Sequence, residues 1–248
     1  MISILNIPLD ENSSFLKGCA KAPQKIIKAF YSSSSNEFSE NNINVHNANE
    51  VKILDEIIIP SGKAGINKIY DAAYNEIKKN KKIVSIGGDH SITYPLIQAH
   101  AKKYNSLNIL HFDAHPDLYE NFDNNPFSHA SPFARIMENK LVKRLVQVGI
   151  RTLNTHQKEQ VKKFGIEVIE MKDFNLNLSF QFDGPIYISL DIDGLDPAYA
   201  PGVSHPEPGG LTTRNIINII HSLKGNVIGG DIVEYNPTND LNNITAIT

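Results

Sequence analysis

Several apolar segments of this chain end directly in acidic or histidine residues, and this arrangement limits the folds that the chain can adopt. The apolar stretch 107–112 is followed by the run DAHPD at 113–117, and the stretch 186–190 is followed by DID at 191–193. Ionisable side chains at the end of a buried strand cost free energy unless a partner compensates their charge, and metal ions commonly do so. The pattern therefore predicts a metal site, and the chemistry of that site points to hydrolysis.

Strand-like runs alternate with helix-like segments along the chain. Apolar side chains recur at helical spacing between residues 66 and 77 and again between 216 and 223. Several strand-like runs are apolar at consecutive positions, as expected for strands buried on both faces. The alternation predicts an α/β fold with a parallel sheet that is covered on both sides. The predicted strands are 2–7, 83–86, 107–112, 145–148, 167–169, 186–190 and 226–233.

The length of 248 residues suits one large α/β domain, and no repeat or linker divides the chain. We therefore expect a single catalytic domain over residues 1–248. The Ser- and Asn-rich segment 31–49 predicts a surface loop. A second long connection, 117–129, is a candidate functional loop, because long loops in compact domains are often functional.

Composition excludes several classes of partner. The formal net charge is -3 and no basic face dominates, which argues against nucleic acid. No apolar run approaches membrane-spanning length, so we expect no membrane partner. Cys19 is the only cysteine, which rules out an intrachain disulfide and fits a reducing compartment. The first residues, MISILN, lack a basic region and predict a strand rather than a signal peptide, so we expect a cytoplasmic location.

The carboxyl ends of the predicted strands carry a set of potential metal ligands. Ligands bind beyond these ends in parallel α/β sheets. Carboxylate-rich coordination with some imidazole suits Mn²⁺ best among the common metals. The set is large enough for two ions if some carboxylates bridge, and two-metal hydrolytic sites activate water between the ions. The candidate ligands are His90, Asp113, His115, Asp117, Asp191 and Asp193.

Each motif also has a simpler interpretation. An Asp-x-Asp pair is usually a turn or a helix start, and Gly-Gly-Asp-His at 87–90 could be a tight turn with a helix cap. His129 alone would more often be a satisfied histidine, and Glu234 an ordinary strand-end charge. Chance placement of such residues after four separate strands is a poor explanation, so we favour the metal site.

These motifs resemble those of a known family, the ureohydrolases, which comprises arginases, agmatinases and related guanidino hydrolases. Three blocks carry the resemblance: GGDHS at 87–91, DAHPD at 113–117 and SLDIDGLDP at 189–197. Supporting matches are SHASPF at 128–133, PEPGGL at 206–211 and DIVE at 231–234. Residues 111–150 look closest to plant-type arginases, a branch with agmatinase-like character. The similarity runs from residue 12 to the C-terminus.

The resemblance implies a three-layer α/β/α sandwich around a mostly parallel sheet of about eight strands. It also implies two Mn²⁺ ions per chain, with Ni²⁺ or Co²⁺ as substitutes. By analogy with the family, His90 and Asp117 would bind one ion, His115 and Asp193 would bind the other, and Asp113 and Asp191 would bridge them. The ions would activate a water that attacks the guanidinium carbon, which releases urea and an amine.

The family resemblance also assigns roles to residues outside the ligand set. Glu234 matches the guanidinium acceptor and His129 matches the proton shuttle. The substrate would be a small cationic guanidino compound, arginine or agmatine. Arginine requires groups that hold its α-carboxylate and α-amine, for which Asn124, Asn125 and Ser128 are candidates. Agmatine needs only an apolar or acidic channel, and the two asparagines could instead serve turn chemistry.

The resemblance leaves two other functions open. One is a deacetylase-like amidohydrolase that uses a single zinc ion, and the other is a non-catalytic member of the family. The deacetylase would need only part of the ligand set, and the non-catalytic member would need none of it. Family members continue into a further helix beyond the position of Thr248, whose loss would expose a sheet face or leave it for a partner subunit. We expect a homo-oligomer, a trimer or hexamer, because family members commonly form these.

Overall fold

The computed structural model describes residues 1–47 and 49–248, so residue 48 of the predicted loop 31–49 lies outside the described residues. One sheet of eight strands forms the centre, in the order β2-β1-β3-β8-β7-β4-β5-β6, and every ladder is parallel. The strands are β1 Ile2–Asn6, β2 Val51–Ile53, β3 Lys82–Ile86, β4 Asn108–Phe112, β5 Arg144–Ile150, β6 Glu167–Glu170, β7 Gln181–Asp191 and β8 Lys224–Val233.

Helices cover both faces of the sheet, which confirms the predicted three-layer α/β/α fold. The helices are α1 Ala22–Phe30, α2 Lys63–Ile77, α3 Thr93–Ala101, α4 Pro132–Glu138, α5 Thr155–Phe164, α6 Thr213–Ser222 and α7 Ile244–Ile247. Side chains of α2 to α5 pack in one apolar cluster with Ile83 and Ile109. Side chains of α1, α6 and α7 pack in a second cluster with Leu110 and Val146. Consecutive residues of β4, such as Ile109 and Leu110, belong to different clusters. Both faces of the strand are therefore buried, which explains why its sequence is apolar at consecutive positions.

The seven predicted strands are present, and the structure adds an eighth. The unpredicted strand is β2, which has three residues at the edge of the sheet and pairs only with β1. Its exposed central residue, Lys52, interrupts the apolar pattern, so no strand signal stands out from the preceding loop. Among the described residues, no helix is long and apolar enough to cross a bilayer.

The register of the four central strands aligns their carboxyl ends. Ile86 pairs with Ile232, Ile232 pairs with Leu190, and Leu190 pairs with Phe112. These four residues form one row across β3, β8, β7 and β4. Each chain segment that leaves this row carries the candidate functional residues, so segments distant in the sequence meet at one edge of the sheet.

The turn after β3 depends on the small size of Gly88. A Cβ atom at this position would overlap the backbone carbonyl of Leu9. The Gly88 carbonyl also accepts a hydrogen bond from the backbone N–H of Glu234, at 2.8 Å. Close backbone contact, rather than phosphate binding, therefore accounts for the glycine here.

We predict that Gly88→Ala lowers the free energy of unfolding of the metal-free protein by at least about 3 kcal/mol, because backbone atoms must move to admit the methyl group. The control is Gly165→Ala. Gly165 ends α5 in the left-handed conformation with open space around it, so the expected loss is about 1 kcal/mol. Denaturant titration in the presence of a chelator measures both, and equal losses would contradict the prediction.

Candidate metal centre

The six predicted ligands lie together at the carboxyl ends of the central strands. His90 begins a short 3-10 helix after β3, and Asp89 caps this helix by accepting a hydrogen bond from the Ser91 N–H. Asp191 ends β7, and Asp193 lies in the 3-10 turn that follows. The other three ligands occupy the loop after β4, as the run DAHPD predicted.

The first group of ligand atoms surrounds His90. Its Nδ1 atom lies 3.3 Å from Asp113 Oδ2, 3.0 Å from Asp117 Oδ2 and 3.1 Å from Asp191 Oδ2. All four residues are buried. One imidazole nitrogen and three carboxylate oxygens that face one another form a set that could hold a divalent ion.

The second group shares a carboxylate with the first. His115 Nδ1 lies 3.4 Å from Asp113 Oδ1 and 3.1 Å from Asp193 Oδ2. Asp113 therefore presents one oxygen to each group, which is the arrangement that a bridging ligand requires. The structure places Asp191 with the first group, and its second bridging contact remains a prediction.

Two observations indicate that these residues suit a bound cation. His90 Nδ1 is buried without a hydrogen-bond partner, while its Nε2 atom lies 3.1 Å from Ser189 Oγ. The free nitrogen thus points at three acidic oxygens. Burial, together with the Asp193 and Asp113 carboxylates, raises the pKa of Asp191 well above its ordinary value. Because these acids repel one another in a buried space, a divalent cation is the partner that compensates them.

A row of buried polar side chains crosses the sheet one residue before the carboxyl ends. We call it the polar row; its members are cross-strand neighbours on β5, β4, β7, β8 and β3. Asp231 accepts hydrogen bonds from the hydroxyl groups of Thr93, Tyr187 and Ser189. Ser189 in turn contacts His90, so Asp231 and Ser189 support this ligand from within the sheet. The polar row consists of Gln147, His111, Ser189, Asp231 and Ser85.

The sequence interpretation gave the polar row no function, although a signal was present. His111 and Ser189 are polar residues inside runs that are otherwise apolar at consecutive positions. Most buried polar side chains are hydrogen-bonded, so a polar residue of this kind next to a ligand motif indicates support for that motif.

Glu234 and His129 form a buried ion pair beside the ligands. Glu234 Oε1 accepts hydrogen bonds from the His90 N–H at 2.7 Å and from His129 Nδ1 at 2.9 Å. Glu234 has a left-handed backbone with φ of 63°, a strained conformation for a non-glycine residue that is typical of functional sites. Ser14 Oγ lies 2.7 Å from His129 Nε2, so the second ring nitrogen faces a hydroxyl oxygen that can accept its hydrogen bond.

Electrostatics favour a charged His129. Burial by itself lowers the pKa of His129, but the Glu234 carboxylate outweighs burial and raises this pKa to about 9. Burial raises the pKa of Glu234, yet His129 and the His90 N–H outweigh it and lower this pKa below its ordinary value. The two side chains thus stabilise each other as imidazolium and carboxylate.

A cavity of about 220 Å³ opens onto both ligand groups and onto the ion pair. The sequence analysis had not selected seven of its lining residues, which are Ser14, Tyr119, Phe122, Ala130, Thr152, Gln157 and His205. Together they form no recognisable motif, because several segments contribute one or two residues each. The lining residues are Ser14, His115, Asp117, Tyr119, Phe122, His129, Ala130, Thr152, Gln157, Asp191, Asp193, His205 and Glu234.

The three predicted substrate residues are not among those that line this cavity. Asn125 donates a hydrogen bond to Asn12 and accepts one from the Phe127 N–H, so it stabilises the loop. Asn124 adopts a left-handed turn conformation. Ser128 is buried and accepts a hydrogen bond from the Ala130 N–H. These contacts match the turn chemistry that was the alternative for the two asparagines, and direct substrate contacts by the three side chains remain a prediction.

Comparison with known proteins supports the resemblance. The Arginase family matches residues 1–248 of this chain. The chain belongs to the arginase family. A mitochondrial arginase of Medicago truncatula is 43% identical, with coverage of 99% of this chain and 78% of that protein. An N(1)-aminopropylagmatine ureohydrolase of Thermus thermophilus is 32% identical, with coverage of 95% and 83%.

Solved structures agree with the fold. An arginase structure from Medicago truncatula matches with a TM-score of 0.93 at 40% identity, and the match covers 99% of this chain and 83% of that chain. The predicted similarity to plant-type arginases, with agmatinase-like relatives at lower identity, is therefore confirmed. The family is one whose members act as two-metal hydrolases on guanidino compounds.

The His129–Glu234 pair predicts a pH dependence of stability. Because the folded-state pKa of His129 is raised from 6.5 to about 9, its contribution is complete below pH 6.5 and is lost as the pH rises through 9. The metal-free protein should therefore lose up to about 3 kcal/mol more between pH 6 and pH 10 than a His129→Gln variant does.

Denaturant titrations at several pH values, in the presence of a chelator, measure this difference. The control is His156→Gln, because His156 is exposed and lies outside the site. This variant should follow the wild-type curve. Parallel curves for wild type and His129→Gln would show that the pair contributes no stability in this range.

Proposed function

We propose that this protein is a metal-dependent ureohydrolase that cleaves a guanidino group and releases urea and an amine. The observation that carries the proposal is the pair of ligand groups around His90 and His115. The two groups share Asp113 and open onto one cavity with Glu234. Membership of the arginase family supports the same reaction. The relatives described above are an arginase and a ureohydrolase by name, so neither the single-zinc deacetylase nor the non-catalytic alternative is favoured.

The proposed cofactors are two Mn²⁺ ions, with Ni²⁺ or Co²⁺ as substitutes. His90, Asp117, Asp191 and one oxygen of Asp113 would hold the first ion. His115, Asp193 and the other oxygen of Asp113 would hold the second, with Asp191 as a further bridge. When bound, such ions polarise the substrate and lower the pKa of water toward neutrality, which supplies the nucleophile.

Glu234 is the proposed acceptor of the guanidinium group. Its Oε1 atom already accepts two hydrogen bonds, and its Oε2 atom faces the Cys19 thiol at 3.6 Å. A guanidinium group donates paired N–H groups to a carboxylate, a charge-assisted contact that fixes its orientation. To form this pair at Oε1, the substrate takes the place of the His129 imidazolium. The guanidinium then lies beside both ligand groups.

His129 is the proposed proton carrier. Because its pKa is raised to about 9, the imidazole retains a proton near neutral pH. When the substrate displaces it from Glu234, this proton is available to the departing amine, which leaves more readily when protonated. Ser14 lies against the other ring nitrogen, with Oγ at 2.7 Å, and limits the positions that the ring can adopt.

Two substrates remain under the proposed reaction, and different observations favour them. Similarity to plant arginases favours arginine. The cavity favours agmatine or another guanidino amine, because its described lining residues include no lysine or arginine that could pair with an α-carboxylate. Tyr119 and Phe122 instead offer aromatic surface suited to an alkyl chain or an ammonium group.

We also propose a homo-oligomer, a trimer or hexamer, and a cytoplasmic location. The oligomer is proposed because members of the family commonly form trimers or hexamers, and light scattering of the purified protein tests it. The location rests on the single buried cysteine, which suits a reducing compartment. The names of several plant relatives place those proteins in mitochondria.

We expect urea release from arginine or agmatine by the Mn²⁺-loaded protein. Chelator treatment should abolish the activity, and Mn²⁺ should restore it. The assay compares arginine, agmatine, shorter guanidino acids and guanidine, each with Mn²⁺, Ni²⁺ or Co²⁺. Faster turnover of agmatine would follow from a cavity whose described lining residues include no lysine or arginine. Absence of urea from every compound would refute the proposed function, and one zinc per chain with deacetylation would support the alternative.

The two ligand groups predict different effects of two isosteric substitutions. Asp113→Asn should lower the affinity for both Mn²⁺ ions, because this carboxylate belongs to both groups. Asp117→Asn should lower the affinity only for the ion beside His90. Calorimetric titration and metal analysis after gel filtration give the stoichiometry and affinities. Two tightly bound ions in Asp113→Asn would show that this residue does not bridge.

A further inference from the structure

The shared carboxylate of Asp113 is held by one hydrogen bond at each oxygen. The His115 N–H donates to Oδ1 at 2.5 Å, and His111 Nε2 lies 2.9 Å from Oδ2. These two donors oppose rotation of the carboxylate. The orientation matters because Oδ1 faces the His115 group and Oδ2 faces the His90 group.

His111 is itself held on all sides. It is fully buried, and its ring packs against Phe133 with 4.1 Å between ring centroids. Its Nδ1 atom lies 3.1 Å from Gln147 Nε2. The ring lies close enough to His90 and Asp113 to belong to a metal-ligand cluster. Because both ring nitrogens are already occupied, His111 supports a ligand rather than acting as one.

The tautomer of His111 follows from a backbone carbonyl in the ligand loop. Gln147 Nε2 also donates to the carbonyl oxygen of Pro116 at 2.8 Å. A carbonyl oxygen only accepts hydrogen bonds, so the amide nitrogen of Gln147 must face this side. That same nitrogen faces His111 Nδ1, which therefore accepts. The ring hydrogen is then on Nε2, where it is donated to Asp113.

We propose that His111 and Gln147 are positioning residues that direct one oxygen of Asp113 to each half of the metal centre. The proposal rests on the proposed two-metal function. Pro116, Gln147, His111 and Asp113 form a chain that begins and ends in the ligand loop. Partners of this kind orient metal ligands, and their loss typically weakens metal binding 10- to 100-fold. An apolar pair of similar volume would fill the same space but would leave Oδ2 without a donor.

The test uses Mn²⁺ binding to the purified full chain as its readout. His111→Phe keeps a buried ring and removes the donor, whereas His111→Gln retains an N–H group that can reach Asp113. Gln147→Leu leaves the imidazole in place but removes the donor to Nδ1, so the ring hydrogen is no longer fixed on Nε2. The matched control is Ser85→Ala, because Ser85 lies in the same polar row and its hydroxyl has no hydrogen-bond partner among the described residues. Calorimetry gives both affinities, and electron paramagnetic resonance distinguishes a coupled Mn²⁺ pair from isolated ions.

Wild type and Ser85→Ala should bind two ions and show the coupled spectrum. His111→Phe should bind the weaker ion about 10- to 100-fold less tightly and show isolated Mn²⁺. His111→Gln should recover most of the affinity, and Gln147→Leu should lie between His111→Phe and wild type. Melting of the chelator-treated proteins checks that each variant folds.

The possible failures are distinct. If wild type binds fewer than two ions, the proposed function is wrong. If wild type binds two ions and His111→Phe does the same with unchanged affinity, the positioning role is wrong. Equal losses in His111→Phe and His111→Gln also overturn it, because the ring itself would then matter rather than its donor. If His111→Phe does not fold, unchanged Mn²⁺ binding in Gln147→Leu overturns the positioning role instead.

Discussion

The mutual repulsion of four buried carboxylates is the constraint on which the rest of this structure depends. Asp113, Asp117, Asp191 and Asp193 crowd into one region at the carboxyl edge of the sheet, where burial disfavours charge. Only a fixed framework can hold such groups close enough to bind cations. The parallel register of β3, β8, β7 and β4 supplies that framework, since it delivers the ligands from one row of paired residues.

The site is built in three levels, and each level accounts for the one above it. Ser189 and His111 of the polar row form hydrogen bonds with ligand side chains. The ligands then form two groups around Asp113, and Glu234 and His129 occupy the neighbouring wall of the cavity. Buried polar networks stabilise a unique arrangement when their members are satisfied and cost stability when they are not. His111 and Asp231 belong to such a network, because both are hydrogen-bonded within the strands.

Much of this architecture could be predicted from the sequence. Runs of consecutive apolar residues indicated seven strands, and the motifs that follow them indicated the ligands. The neighbours of each strand could not be read in the same way, because β3 and β4 follow each other in the chain but are separated in the sheet by β8 and β7. Hydrogen-bond partners that depend on this order, such as Gln147 beside His111, were therefore missed. The cavity wall was missed as well, since Tyr119 and Thr152 come from different loops and match no motif.

The position of β8 in the middle of the sheet has a consequence for biosynthesis. This strand, residues Lys224–Val233, fits between β3 and β7, although β3 leaves the ribosome well over a hundred residues earlier. Until β8 emerges, β3 and β7 each keep an unpaired edge, and His90 after β3 cannot lie beside the carboxylates that follow β4 and β7. Long-range pairing of this kind makes folding slow and exposes the nascent chain to aggregation. We therefore expect the complete His90 group to bind a cation only after β8 has been translated, and not during the early collapse of the chain.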